Sequence, residues 1–194
     1  MQDLRKRLKR SYSVIQKSLS AREVSAWLTD NFYIIDKFYR TSLSDSKALS
    51  QGELYYLLKR YCAERDCLAT PKTLKSFLAS CEKSFDYYTL CALPTLLSVC
   101  AIVCISEALR DEKSEYLLPN AVKLLQSLDD PEYGDILPEL WEPESIISHF
   151  EEDYTLFDRE TKEQYRKLLA DYAKRNGMAE TEAAKAALKL FGII

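Results

Sequence analysis

Glycine and proline are scarce in this chain, which has 4 and 6 of them among 194 residues. Tight β-hairpins depend on turn residues of this kind, so few positions could form them. Long runs of Leu, Lys, Glu and Ala occupy the chain instead, and these residues have high helix propensity. The sequence therefore predicts an all-α fold, a compact bundle of about seven to nine helices.

Residues that would build a catalytic centre are also sparse. The chain has no D-x-D pair to hold a metal ion against a nucleotide diphosphate, and its scattered glycines form no phosphate-binding loop. Its single histidine, His149, precedes an acidic run, where an exposed helix end explains it better than catalysis. We therefore expect no catalytic residue and no cofactor in this chain.

Two other groups of residues resemble chemical sites. Cys100 and Cys104 share a helix face at i, i+4, but no histidine or cysteine pair nearby in sequence completes a zinc site. Glu151, Glu152 and Asp153 are adjacent, so on a helix their carboxylates point in different directions, unlike the facing pair of a glycosidase. We expect no metal site and interpret the acidic run as solvated.

The cysteines show no pairing motif. No C-x-x-C occurs, and the basic N-terminus lacks the apolar segment of a secretory leader. These features predict a reduced, cytoplasmic environment in which the cysteines pack as small hydrophobic residues. The six are Cys62, Cys67, Cys81, Cys91, Cys100 and Cys104.

The net charge of −3 is unevenly distributed. The charged residues among 1–10 are all basic except Asp3, whereas residues 129–153 are strongly acidic. The basic start could touch anionic lipid or nucleic acid, but no base-stacking aromatic residues are interleaved with its charges. We favour a solvated helical face there and expect no nucleic-acid partner.

Periodic apolar residues and capping signals place the helices. Ser20-Ala-Arg-Glu23 and Ser50-Gln-Gly-Glu53 are typical of capping boxes, and Thr70-Pro71 is typical of a helix start. The predicted helices span about 3–19, 21–41, the residues after Ser50, those after Thr70, 116–128, 143–152, 158–176 and 179–191. We expect one helical domain over residues 1–194, which could divide into lobes at 1–110 and 115–194.

The run from Tyr87 to Ser106 contains no charged residue. It is long enough to span a bilayer, but Pro94 and several hydroxyl residues interrupt it, and its flanks lack a strong basic bias. A helix buried on all sides is equally apolar. We favour a buried core helix.

Thirteen tyrosines are present. They could line a surface that stacks against sugar rings, but tyrosine more often lies at the rim of a core with its hydroxyl toward water. We favour the rim position. The tyrosines considered are Tyr12, Tyr33, Tyr39, Tyr55, Tyr56, Tyr87 and Tyr88.

The segment from Tyr154 to Leu188 carries the most specific pattern in the chain. Asp158 is a plausible N-cap, with Thr161 three residues on and Tyr165 and Arg166 on the following turns. Asn176-Gly177 is typical of a helix end. We expect a buried Arg–carboxylate network that locks the last two helices together.

This segment resembles one in the cyclic β-1,2-glucan synthases, which reads Y-x-x-M-D-x-x-T-R-x-x-Y-R and then E-x-L-A-x-x-S-G-x-S-E-x-E-x-A-x-x-A-L. Here the chain reads Tyr154-Thr-Leu-Phe-Asp158-Arg-Glu-Thr161-Lys-Glu-Gln-Tyr165-Arg166, and Gly177, Glu180, Ala184 and Leu188 follow in register. Three earlier blocks resemble the same family in the same order. They begin at Trp27-Leu-Thr-Asp30-Asn31, at Tyr88 with Pro94 inside, and at Asn120.

The resemblance implies the N-terminal helical region of a membrane protein that uses UDP-glucose, ahead of its catalytic core. It implies a non-catalytic scaffold or regulatory domain at the cytosolic face of the membrane, in only indirect contact with lipid. Its partner would be protein, either other domains of the parent or a separate chain. A free-standing adaptor and a tyrosine-lined β-glucan-binding module remain the alternatives. The motif positions, interpreted as structural, are Trp27, Asp30, Asn31, Pro94, Asn120, Asp158, Thr161, Tyr165, Arg166 and Gly177.

Overall fold

The computed structural model describes residues 3–20, 26–63, 71–81, 85–111, 117–129, 140–150 and 152–190, apart from a few side chains within the helices. These ranges hold helices and no strand, which confirms the predicted all-α class. Nine of the described α-helices have seven residues or more. In chain order they are α1 Leu4–Ser20, α2 Ala26–Ser44, α3 Gly52–Ala63, α4 Pro71–Ser80, α5 Tyr87–Cys91, α6 Leu93–Ala108, α7 Leu117–Leu128, α8 Glu142–Phe150, α9 Glu152–Leu156, α10 Arg159–Asn176 and α11 Glu180–Leu190, with a 3-10 turn at Ala48–Ser50.

The chain forms two compact units. The first comprises Met1–Glu82 and Ala92–Gly134, and the second comprises Lys83–Cys91 and Asp135–Ile194. The first unit therefore contains α1 to α4, α6 and α7, and the second contains α5 and α8 to α11. Each unit contains residues from both of the lobes that the sequence suggested, 1–110 and 115–194.

Helix α6 is the centre of the first unit. Thirteen of its sixteen residues are buried, because α1, α2, α3 and α7 all pack against it. A helix covered on every side needs an apolar residue at almost every position, which explains the uncharged run. Its buried Ser98 hydroxyl lies 2.7 Å from that of Ser42 on α2, so this polar pair is satisfied inside the core. The predicted buried core helix is confirmed for α6.

The uncharged run is not one helix, however. It contains α5 and α6, separated at Ala92. Pro94 lies in the first turn of α6, where its missing N–H is tolerated, and its ring disfavours helical continuation from the preceding turn. Within the described ranges, no helix combines the length and the apolar character needed to cross a membrane.

Other helix starts follow local chemistry. The prediction that Ser50 caps α3 is wrong, because Ser50 ends the 3-10 turn and its hydroxyl donates to the Lys47 carbonyl at 2.6 Å. Helix α4 begins at Pro71 as expected. Residues 21–25 and the side chain of Ser20, which carry the other predicted capping box, lie outside the described residues.

The second unit has its own aromatic core. Trp141 and Tyr154 are almost fully buried there, together with Ile147 of α8. Small residues of α10 and α11 pack against them, so that α11 approaches both α8 and α10 closely. Those small residues are Ala170, Ala173, Ala183 and Ala184.

Candidate functional site

A buried ion pair lies at the centre of the second unit. The guanidinium of Arg166 on α10 donates to both carboxylate oxygens of Glu144 on α8, from Nε at 2.8 Å and from Nη2 at 2.7 Å. The Tyr154 hydroxyl donates to the same carboxylate at 2.8 Å. Only 8% and 13% of the Arg166 and Glu144 side chains are exposed, so this pair is shielded from water. A bidentate pair of this kind fixes orientation as well as charge.

The electrostatics of this cluster favour the charged form of Arg166 and the neutral form of Tyr154. Burial opposes the charge of Arg166, but the hydrogen bond and the charge of Glu144 raise the net pKa of the guanidinium. Burial, and then the bond to Glu144, raises the pKa of the Tyr154 hydroxyl, so it stays a neutral donor. Because Arg166 and Tyr154 both donate hydrogen bonds to Glu144, the three residues connect α8, α9 and α10. We call this cluster the clamp.

This clamp differs in one respect from the sequence prediction. The buried Arg–carboxylate network is confirmed, but Arg166 pairs with Glu144 and joins α10 to α8, not to the last helix. Asp158 is instead the N-cap of α10, and its carboxylate accepts the Thr161 N–H at 2.8 Å. That bond lowers the pKa of Asp158. This N-cap bond gives Asp158 a structural role at the start of α10.

The remaining motif residues, Tyr165 and Gly177, also contribute to packing and to the end of α10. The Tyr165 ring lies 5.4 Å from that of Tyr154, measured between centroids. Gly177 ends the helix with φ of 62°, a left-handed conformation that glycine adopts without a steric penalty. The predicted N-cap and C-cap of this helix are therefore both confirmed.

A second polar contact centres on Glu180, the first residue of α11. Its carboxylate accepts the indole N–H of Trp141 at 2.6 Å and the backbone N–H of Tyr87 at 3.0 and 3.1 Å. Tyr87 is the first residue of α5, so its N–H has no partner inside that helix. Burial raises the pKa of Glu180 even though these two donors favour the carboxylate form.

The tyrosines occupy mixed positions. Tyr12, Tyr55 and Tyr87 are buried, while the Tyr33 and Tyr56 side chains are exposed. Several hydroxyls form hydrogen bonds within the protein. The Tyr12 hydroxyl donates to Asp36 and the Tyr88 hydroxyl donates to Asp171, while the Tyr55 hydroxyl accepts from Arg7. Tyr12 also stacks on Tyr39 with a centroid distance of 3.6 Å.

The earlier motif positions lie in the first unit. Asp30 is exposed on α2, whereas Asn31 is half-buried and accepts a hydrogen bond from Gln126 of α7 at 3.3 Å. Pro94 is exposed at the start of α6, and Asn120 is half-buried on α7. Trp27 belongs to α2, but its side chain lies outside the described residues. The α10 motif lies in the second unit.

The candidate nucleophiles and metal ligands are dispersed or buried. Cys100 and Cys104 are buried on α6, and burial raises the pKa of the Cys104 thiol. A hydrogen bond to Cys100, with burial, raises the pKa of Cys62. His149 is exposed, and Asp153 is the only member of the acidic run whose side chain is described. Within the described part of the chain, no three His, Cys, Asp or Glu side chains could share a metal ion.

Sequence reasoning missed the partners of the clamp. Glu144 follows the start of α8 by two residues, and nothing in the local pattern distinguishes it from an exposed first-turn acid. Trp141 and Tyr87 were likewise not linked to Glu180, although Glu180 lies in the segment that resembles the synthases. Long-range pairs of this kind have no signal in a single sequence.

The comparisons with known proteins give no relative. No protein-family model matches the chain, and searches of curated proteins and of solved structures return no significant match.

Proposed function

We propose that this chain is a non-catalytic helical scaffold domain, similar to the N-terminal region of cyclic β-1,2-glucan synthases. In this proposal it belongs to a membrane glycosyltransferase at the cytosolic face of the membrane. Its task is to hold other protein domains in place, and its own residues catalyse no reaction.

One observation carries this proposal: the polar residues of the segment that resembles the synthases are engaged in folding the second unit. Arg166 and Tyr154 share Glu144, Asp158 and Gly177 cap the two ends of α10, and Glu180 holds Trp141 and Tyr87. A side chain that must satisfy a buried partner is poorly placed to bind a substrate, since leaving that partner unpaired destabilises the fold. These residue types therefore support a structural role for the segment.

The outer surface of α10 offers a place for a protein partner. Leu168 and Tyr172 lie four residues apart on one face and are 67% and 47% exposed. Tyr165 is half-buried on the preceding turn of that face. Exposed apolar and aromatic side chains at helical spacing are typical of helices that pack against another protein. We call Leu168 and Tyr172 the α10 face.

Photo-cross-linking in the source cells tests this role. A benzoylphenylalanine placed at Leu168 is expected to give a covalent adduct with protein, either within a longer parent chain or with a separate chain. The same residue placed at Lys185, which is exposed on α11, is the matched control. A parent-chain adduct identified by mass spectrometry supports the domain proposal, and an adduct with a separate chain supports the adaptor alternative. Equal or absent labelling at the two positions contradicts both.

A further inference from the structure

The solvent side of α1 carries an unusual set of charges. Four cations are exposed there, and none forms an ion pair or hydrogen bond with another described residue. We call them the basic face: Lys6, Lys9, Arg10 and Lys17. Two exposed cations on α2 do have acidic partners: Lys37 pairs with Asp129 and Arg40 with Asp36.

The arrangement of the basic face opposes helix stability. Lys6 is three residues from Lys9 and four from Arg10, and like charges at these spacings repel. Lys6, Lys9 and Arg10 also lie in the first two turns, on the side where the helix dipole favours negative charge, and only Lys17 lies in the last turn, where the dipole favours a cation. A solvated helix usually mixes the two signs, so helix formation alone gives no reason for this arrangement.

The charge of α1 contrasts with that of the remaining chain. Helix α1 contains six basic residues and no acidic one, while the whole chain has a net charge of −3. The rest of the chain therefore carries a net charge of −9. Helix α1 thus carries a concentrated net positive charge, which attracts an anionic surface.

The other side of α1 is fixed in the core. Leu4, Leu8, Tyr12 and Ile15 are buried, and the helix packs against α6. The helix therefore cannot insert apolar residues into a bilayer without unfolding its unit. Its basic face is a rigid row about 16 Å long between Lys6 and Lys17, from the rise per residue of an α-helix.

The residue types on this side distinguish among anionic partners. Exposed residues between the cations are Ser13 and Gln16, and no exposed aromatic or large apolar side chain occurs on α1. A specific protein interface needs such anchors, and single-stranded nucleic acid needs aromatic rings for stacking. An anionic lipid surface needs neither, because clustered Lys and Arg bind it through charge alone.

We propose that the basic face of α1 docks the first unit onto an anionic phospholipid bilayer by charge, with no segment inserted. This goes beyond the proposed function, which requires only indirect contact with lipid. Each Lys or Arg near such a surface strengthens binding by about fivefold.

Vesicle co-sedimentation of the full chain tests this docking. With vesicles of phosphatidylcholine and phosphatidylserine at 70:30, we expect binding at low salt, loss of binding at high salt, and no binding to phosphatidylcholine alone, since screening weakens exposed charges. The variant K6E/K9E/R10E/K17E is expected to bind at least tenfold more weakly. Circular dichroism checks that it is folded.

A matched variant separates the basic face from net charge. K47E/K123E/K167E/K185E changes the same number of exposed cations on other elements, so its affinity is expected to remain within about twofold of the unmodified chain. Equal losses in the two variants overturn the proposal, as does failure of the unmodified chain to bind the anionic vesicles at low salt. Binding of a 30-base-pair DNA duplex without vesicle binding overturns it in favour of nucleic acid.

Discussion

At the scale of single residues, burial decides the role of the charged groups. An arginine as enclosed as Arg166 is stable only if its guanidinium has partners, and Glu144 supplies two acceptor oxygens. The carboxylate in turn accepts from Tyr154. Removal of either charged member therefore leaves the other charge without compensation, which makes the clamp testable.

Replacement of Arg166 by Met is expected to destabilise the protein by about 3 kcal/mol, because Glu144 is then a buried charge without its partner. Urea denaturation followed by circular dichroism measures this loss. The double variant R166M/E144L is expected to recover part of it, since neither charge remains. K167M, at the adjacent exposed position, is the control and should change stability by no more than about 0.5 kcal/mol. An R166M protein as stable as the unmodified one contradicts the clamp.

The hydrogen bond from Tyr12 to Asp36 should make stability depend on pH in the alkaline range. Burial and the bond to Asp36 raise the pKa of Tyr12 to about 12. Its unfolded pKa is about 10, so the stabilisation is complete below that pH and is lost as the pH rises through 12. We expect the free energy of unfolding to fall between pH 10 and 12.

The variant Y12F should lack part of this alkaline loss. At neutral pH it is expected to be less stable by about 1 kcal/mol, the contribution of one hydrogen bond. Urea denaturation at several pH values measures both effects. Y33F removes a hydroxyl from an exposed ring and is the control at neutral pH. A Y12F protein with the same alkaline loss as the unmodified chain contradicts the assignment.

At the scale of elements, local sequence predicted most helices that are long and periodic. The expected helix over 158–176 is observed as Arg159–Asn176, since both of its caps are encoded in adjacent residues, Asp158 and Gly177. The expected helix over 3–19 is observed as Leu4–Ser20. Periodicity and capping are local, so a single sequence is enough to locate such elements.

Short elements and long-range contacts were not predictable in this way. Helix α5 has five residues, too few to show a period, and it was merged with α6 into one uncharged run. Its N-terminus depends on Glu180, which lies 93 residues away. Hydrogen bonds across such a separation are set by tertiary packing, which also explains why Glu144 was missed.

Loss of the Glu180 carboxylate should loosen α5. In E180A the indole N–H of Trp141 and the N–H of Tyr87 lose their acceptor, and each unsatisfied buried donor costs about 1–3 kcal/mol. We expect faster hydrogen exchange at the Tyr87 amide and lower stability. K185A, exposed on the same helix, is the control. Unchanged exchange at Tyr87 would show that Glu180 does not hold α5.

At the scale of the whole molecule, the two units differ in what their interiors contain. The first unit is built on an apolar central helix, and the second on aromatic residues held by two carboxylates. Within the described ranges these carboxylates have protein donors. A scaffold whose polar groups are used internally acts through its outer faces, which are the α10 face in the second unit and the basic face in the first.

The size and location of the native protein test the scaffold proposal most directly. An antibody raised against this chain is used to probe soluble and membrane fractions of the source cells. In the membrane fraction we expect a band whose mass is several times the 22.4 kDa of this chain, as required of a domain within a membrane glycosyltransferase. A band only at the 22.4 kDa of this chain would contradict that proposal and leave the free-standing adaptor in its place.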